Sequence, residues 1–174
     1  MDAIQILINV ANQLEASGIQ LVLALAFSAG LSGCVMTLFG QTRLARAGRP
    51  ASGHKVLLAV CMGGALIAFE QTLNSASHTL GFGDVSFDAI AYVPASLGEA
   101  ALAMNAVLTL LRWVGVVFFF MGVTRARRAL VEGHTGLSSR EDVNTGVVQG
   151  VVGILLACNP EFLDALQKTL QLSW

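Results

Sequence analysis

Two ionisable side chains, Glu70 and Arg112, stand alone in apolar surroundings. Val56 to Phe69 carries no charge, and after Glu70 the next charge is Asp84. Ala100–Leu111 and Trp113–Thr124 are uncharged on either side of Arg112. A charge at the bilayer centre costs about 2.5–3.5 kcal/mol on insertion scales, so each side chain needs a partner or water. Glu70 lies 15 residues after Lys55, about 22 Å of helix at a rise of about 1.5 Å per residue. Arg112 lies 13 residues before Arg125, about 20 Å on the same scale. Similar depth on antiparallel neighbours predicts a Glu70–Arg112 ion pair that clamps two helices or two subunits. The same positions also let each side chain snorkel to the interface, or let Glu70 hold a proton or a cationic substrate.

Other chemistry finds little support. Cys34, Cys61 and Cys158 form no CxxC pair and read as small packing residues. His54, His78 and His134 have no metal-site spacing. No phosphate loop, nucleophile elbow, zinc-binding helix or acid–base dyad is found. The expectation is no enzyme, no metal and no cofactor, although a phospholipid could be bound. With a net charge of −1 there is no global basic footprint for nucleic acid.

The elements that hold these residues follow from composition. The chain has 174 residues, 55% hydrophobic and 12% charged, where a soluble domain carries about 25% charged residues. Uncharged windows predict an all-α protein of one membrane domain, 1–174, with four spans at about 19–40, 56–76, 101–123 and 143–159. A buried helix of a soluble protein is the alternative for the second of these. Eight of the ten basic residues lie after the first and third spans. Arg43, Arg46, Arg49 and Lys55 form one basic loop, and Arg125, Arg127, Arg128 and Arg140 the other. The positive-inside rule puts both loops in the cytoplasm, and both termini and the 77–99 loop on the opposite side. Anionic headgroups would favour each basic side chain by about 1 kcal/mol.

Outside the spans, residues 3–15 have helical periodicity. Ile4, Leu7, Ile8, Ala11 and Leu14 form the apolar face, with Gln5, Asn9, Asn12 and Glu15 set against it. Ser17-Gly18 then predicts a break, leaving an amphipathic helix in the outer interface or packed on protein. Met1-Asp2 lacks the basic start of a cleaved signal, so the first span is expected to be retained. Asn159-Pro160-Glu161 predicts a second outer helix over 160–172, with Asn159 as its cap. Phe82, Phe87 and Tyr92 predict an aromatic belt at headgroup depth, or a docking surface.

Small residues mark the close approaches. Gly146, Gly150 and Gly153 share a stripe on the fourth span, as do Gly30 and Gly33 on the first. Such stripes let helices meet closely, within one bundle or between subunits.

The third span, Arg112-Trp-Val-Gly-Val-Val-Phe-Phe-Phe-Met-Gly122, has basic residues behind it, and the fourth runs Thr145-Gly-Val-Val-Gln-Gly-Val-Val-Gly-Ile-Leu-Leu-Ala-Cys-Asn159. Over residues 20–172 the chain resembles the IcmC/DotE family of type IVB (Dot/Icm) secretion systems and its TraQ-like relatives in I-type conjugation. The resemblance implies a small subunit of a translocation or conjugation machine in a bacterial inner membrane; with the basic loops in the cytoplasm, this multi-pass chain would have both termini periplasmic. Such a protein would partner lipid, other secretion or conjugation subunits and copies of itself, and would act structurally or as part of a channel. The resemblance brings no catalytic residue. Two alternatives are a subunit of an extracellular pilus-like filament and a small proton-coupled transporter using Glu70.

Overall fold

The computed structural model describes residues 3–48, 50, 52–87, 90–94, 98–132 and 136–171. Among the described residues every regular element is helical. Helix α1 (Ala3–Gln13) passes through a π-helical turn (Leu14–Gly18) into α2 (Ile19–Arg46). Gln13, Gly18 and Ile19 all keep right-handed helical backbone. Ser17-Gly18 therefore does not break the chain, and the expected separate outer helix is instead the start of a continuous run. A glycine inside a helix costs only about 1 kcal/mol relative to alanine, which packing here offsets. Ile19 is buried, and a Cβ at Gly18 would run into the Trp113 ring.

Helices α3 (Gly53–Ile67) and α4 (Phe69–Thr79) meet at an angle of 93°. After a loop, α5 (Glu99–Glu132) leads to α6 (Gly136–Ala157) and α7 (Asn159–Leu170). The stretch Glu141–Ala157 bends by 85° into α7. The expected straight helix over 56–76 is thus broken at Ala68. There the backbone leaves the helical well (φ −96°, ψ 45°), and the Thr72 hydroxyl lies 2.9 Å from the carbonyls of both Ala65 and Ala68. That hydroxyl serves the Ala65 carbonyl in the last turn of α3, where the helical ladder ends, while the Ala68 carbonyl also accepts the Thr72 backbone N–H. Cys158 makes the second bend with nearly the same backbone (φ −96°, ψ 36°). Cys158, not Asn159, occupies the cap position of α7. Asn159 is the first helical residue, and its amide donates to the Leu108 carbonyl at 2.6 Å.

Helices α2 and α5 run parallel. Glu15, just ahead of α2, faces Arg112, and farther along Ala29 faces Arg127. Helix α3 returns against α2, with Gly63 at Gly30 and Ala59 at Cys34, and α6 returns against α5. The C-terminal ends of α2 and α5 and the start of α3 therefore share one end of the bundle. The 34-residue α5 is about 51 Å long by its rise, well beyond an apolar core of about 30 Å. That length places Arg125, Arg127 and Arg128 on a helix rather than in the predicted loop.

The other end is closed by α4, α7 and, between α4 and α5, residues 80–87 and 90–94. Phe82 and Phe87 pack on the core, and Phe82 meets Phe162 edge to face at 6.4 Å. Tyr92 donates to Asp164 at 2.9 Å. These aromatics fold onto the protein instead of forming an outward belt. Beneath them Phe69 sits 5.4 Å from Phe119 and 6.0 Å from Phe120, beside fully buried Leu66, Leu73 and Val116. Two helices, Ile19–Arg46 and Glu99–Val131, are long and apolar enough to cross a membrane, and each bent pair supplies a further candidate as a broken span.

Candidate functional site

Arg112 lies inside the bundle, but its acidic neighbour is Glu15. Its Nη1 stands 3.8 Å from Oε1 of Glu15, and the two side chains are 6% and 8% exposed. The predicted Glu70–Arg112 pair does not form. Glu70 belongs to α4, beyond the bend at Ala68, and is exposed beside a notch of about 320 Å³ lined by Leu23, Phe27 and Ile67. The depth comparison assumed a straight second helix, and a turn of 93° removes it.

Glu15 is held by the π-helical turn. A π turn is a local insertion, common where a helix must re-aim a side chain. Glu15 lies four residues after buried Ala11 and seven after Ile8, which is the same helical face. Its assignment to the polar face with Asn9 and Asn12 is therefore corrected. The periodicity itself contained that signal.

At 3.8 Å the contact is longer than a charge-assisted hydrogen bond of about 2.7–2.9 Å. It joins opposite charges in a seam from which water is largely excluded. Next to it the Trp113 ring packs on Gly18, and its buried indole N–H has no acceptor among the described residues. Burying two charges costs several kcal/mol of solvation, which their mutual attraction offsets only in part.

The predicted glycine contacts all fall inside the chain. Gly30 faces the Gly63 carbonyl, and Gly33 accommodates the Arg127 guanidinium. On the other side, Gly146 and Gly150 meet Gly122, while Gly153 meets Gly115 and the backbone of Phe119. A Cβ on Gly122 would lie 2.7 Å from the Gly146 carbonyl oxygen. These stripes serve packing within one bundle.

The basic residues gather at the shared end. Arg43 and Arg46 occupy the last turns of α2, and Lys55 the first turn of α3. Arg125 pairs with Asp142 at 3.1 Å in a half-exposed bridge, and Arg128 is exposed. Arg127 turns inward and donates to the Ala29 carbonyl at 3.4 Å. Arg49 and the side chain of Arg140 lie outside the described residues. No group of three His, Cys, Asp or Glu side chains among the described residues could hold a metal.

At the opposite end, Tyr92 belongs to a second polar cluster. Burial first, and then the hydrogen bond and charge of Asp164, push its phenol above the ordinary value of 10.0. His78 and Asp84 stand 2.8 Å apart on the exposed side of the same end.

No protein family matches the chain, and neither a curated protein nor a solved structure does.

Proposed function

We propose that the chain is a four-span structural or channel subunit of a bacterial type IV secretion or conjugative transfer apparatus, acting by assembly in the inner membrane. In this topology α2 and α5 cross the membrane, and each bent pair is a broken span whose second leg lies along the outer surface. The basic end faces the cytoplasm by the positive-inside rule, with both termini periplasmic.

The observation that carries the reading is the unsatisfied apolar surface of α2. Only 22% of its most apolar window is buried within the chain. Leu21, Leu25, Leu31, Val35 and Phe39 stand exposed along it. Lipid accepts such a face, and so does a neighbouring subunit. The buried charge pair and the glycine seams stiffen the bundle and require no substrate. The IcmC/DotE resemblance supplies the machine. A proton-coupled transporter using Glu70 has weaker support, because Glu70 lies past the bend in an open notch.

Deleting the gene from a donor strain tests the proposal. Loss of DNA or effector transfer, restored by the wild-type gene, supports it. Unchanged transfer with normal growth of the deletion strain refutes it.

A further inference from the structure

The two long helices are uncharged over more length than an upright crossing needs. Residues 16–42 hold no charge, and residues 100–124 hold only Arg112, which is buried against Glu15. At about 1.5 Å per residue these stretches are about 40 and 37 Å long, against an apolar core of about 30 Å. Leu21, Leu31 and Phe39 stand exposed along the first, and Leu102, Val107 and Met121 along the second.

The two stretches are also staggered. Arg112 faces Glu15, the Trp113 ring packs on Gly18, and Arg127 lies over Gly33 and donates to Ala29. These contacts pair residues of α5 with positions 94 to 98 lower in number on the α1–α2 run. Gly115, where α6 packs through Gly153, is therefore level with about Ile19, eleven residues before Gly30, where α3 packs through Gly63. Each return helix bends five residues past its contact glycine, at Ala68 and at Cys158. The α5–α6 hairpin thus stands about 16 Å farther from the basic end than the α2–α3 hairpin. The charges show the same step. Arg128 is level with about Ser32, so Arg43 lies eleven residues beyond it along α2, again about 16 Å.

No upright slab of about 30 Å satisfies both stretches. Centred on residues 16–42, it would hold the exposed Arg128 and the half-exposed Arg125–Asp142 bridge at mid-depth, where charges belong in a protein interior or in water. Centred on residues 100–124, it would leave Leu31, Val35 and Phe39 in water. A slanted slab satisfies both. Helix α5 lies between α2 and α6, which make no comparable contact with each other. Two interaxial distances separate α2 from α6, about 16–20 Å in all. A step of about 16 Å across that width is a slope of about 40°, the steep end of the range for membrane helices. The same tilt brings the two uncharged lengths to about 31 and 28 Å of depth, which is the thickness of the core.

We infer that the bilayer crosses this bundle obliquely, its normal about 40° from the long helices, with lipid chains covering both Leu31 and Val35 of α2 and Val107 and Leu111 of α5. Lipid is the occupant because one tilt, taken from the helix contacts, fits both apolar lengths to the core and carries both sets of charges to one surface. Arg43 and Arg128 then reach the same headgroup layer from different heights on the bundle. The inference rests on the membrane reading above and sets its orientation.

Spin-label depth measurements on the full-length protein, in vesicles of phosphatidylcholine and phosphatidylglycerol, test this. The exposed Cys61 is first replaced by alanine, and that variant sets the background signal. Single labels then go on through Leu31→Cys, Val107→Cys, Val35→Cys, Leu111→Cys and Arg128→Cys. Collision with oxygen, which concentrates in hydrocarbon, against collision with a water-soluble nickel chelate reads the depth. Leu31 and Val107 are about 30 Å apart along the bundle, as are Val35 and Leu111, yet all four labels are expected in hydrocarbon and the Arg128→Cys label at the headgroups. The two pairs are independent, so misfolding of one variant leaves the other pair. Equal depth for Leu31→Cys and Arg128→Cys, with Val107→Cys in water, would mean an upright bundle and overturn the inference. Labels on α2 and α5 shielded from both colliders would mean a protein cover and overturn it as well, leaving the membrane reading intact. Free access of nickel to all five sites removes both.

Discussion

Arg112 faces Glu15 across 3.8 Å, in a seam where neither side chain is as much as a tenth exposed. The pair ties the π-helical turn before α2 to the middle of α5. A buried pair differs from a surface bridge in what its loss does. Removing one partner leaves an uncompensated buried charge, which costs about 3–5 kcal/mol, whereas replacing both by apolar groups of similar size is often neutral.

Arg112→Met and Glu15→Gln should each lower stability by about 3–5 kcal/mol. The double replacement Glu15→Met with Arg112→Met should recover most of that loss. Glu70→Gln should change stability by less than about 0.5 kcal/mol, as expected for an exposed site. Denaturation in detergent micelles measures all four. Equal damage from Glu70→Gln and Glu15→Gln would contradict the pairing.

The glycine seam between α5 and α6 leaves no room for a side chain. Gly153→Val would push into the backbone at Phe119 and Gly115, an overpacking that costs about 1–3 kcal/mol. Gly64 has open space around it, so Gly64→Ala should gain up to about 1 kcal/mol from helix propensity. The same denaturation measurement separates the two. Tolerance of valine at Gly153 would show that the seam is looser than described.

Much of this architecture is legible in the residues. The uncharged windows locate α2 and α5, and Arg43, Arg46, Lys55, Arg125, Arg127 and Arg128 do collect at one end of the bundle. The stripe Gly146, Gly150 and Gly153 does mark a close helix contact. The bend at Ala68 is hidden because no proline or glycine occupies it, and the Ala65 carbonyl before it is served by the hydroxyl of Thr72. With that bend unseen, Glu70 looks like the partner of Arg112. Glu15 is legible as an inward residue, being in phase with Ile8 and Ala11, yet the polar residues Asn9 and Asn12 draw it to the polar side.

Tyr92 is the only tyrosine, so phenolate absorbance reports on it alone. Its proton is held more tightly in the fold than in the unfolded chain. The stabilisation this provides is complete below the ordinary value of 10.0 and is lost as pH rises through the folded value. Asp164→Ala should move the titration midpoint down toward 10.0. A midpoint unmoved by that substitution would mean that the 2.9 Å bond is not made in solution.

The mass of the particle purified from native membranes in mild detergent bears most directly on the central claim, that this chain works as a subunit of a membrane assembly. Light scattering, corrected for bound detergent, should give a protein mass well above 18.2 kDa, as a multiple of the chain or with further membrane subunits attached. A single species of 18.2 kDa, unchanged when the protein is cross-linked in the membrane before extraction, would contradict the account.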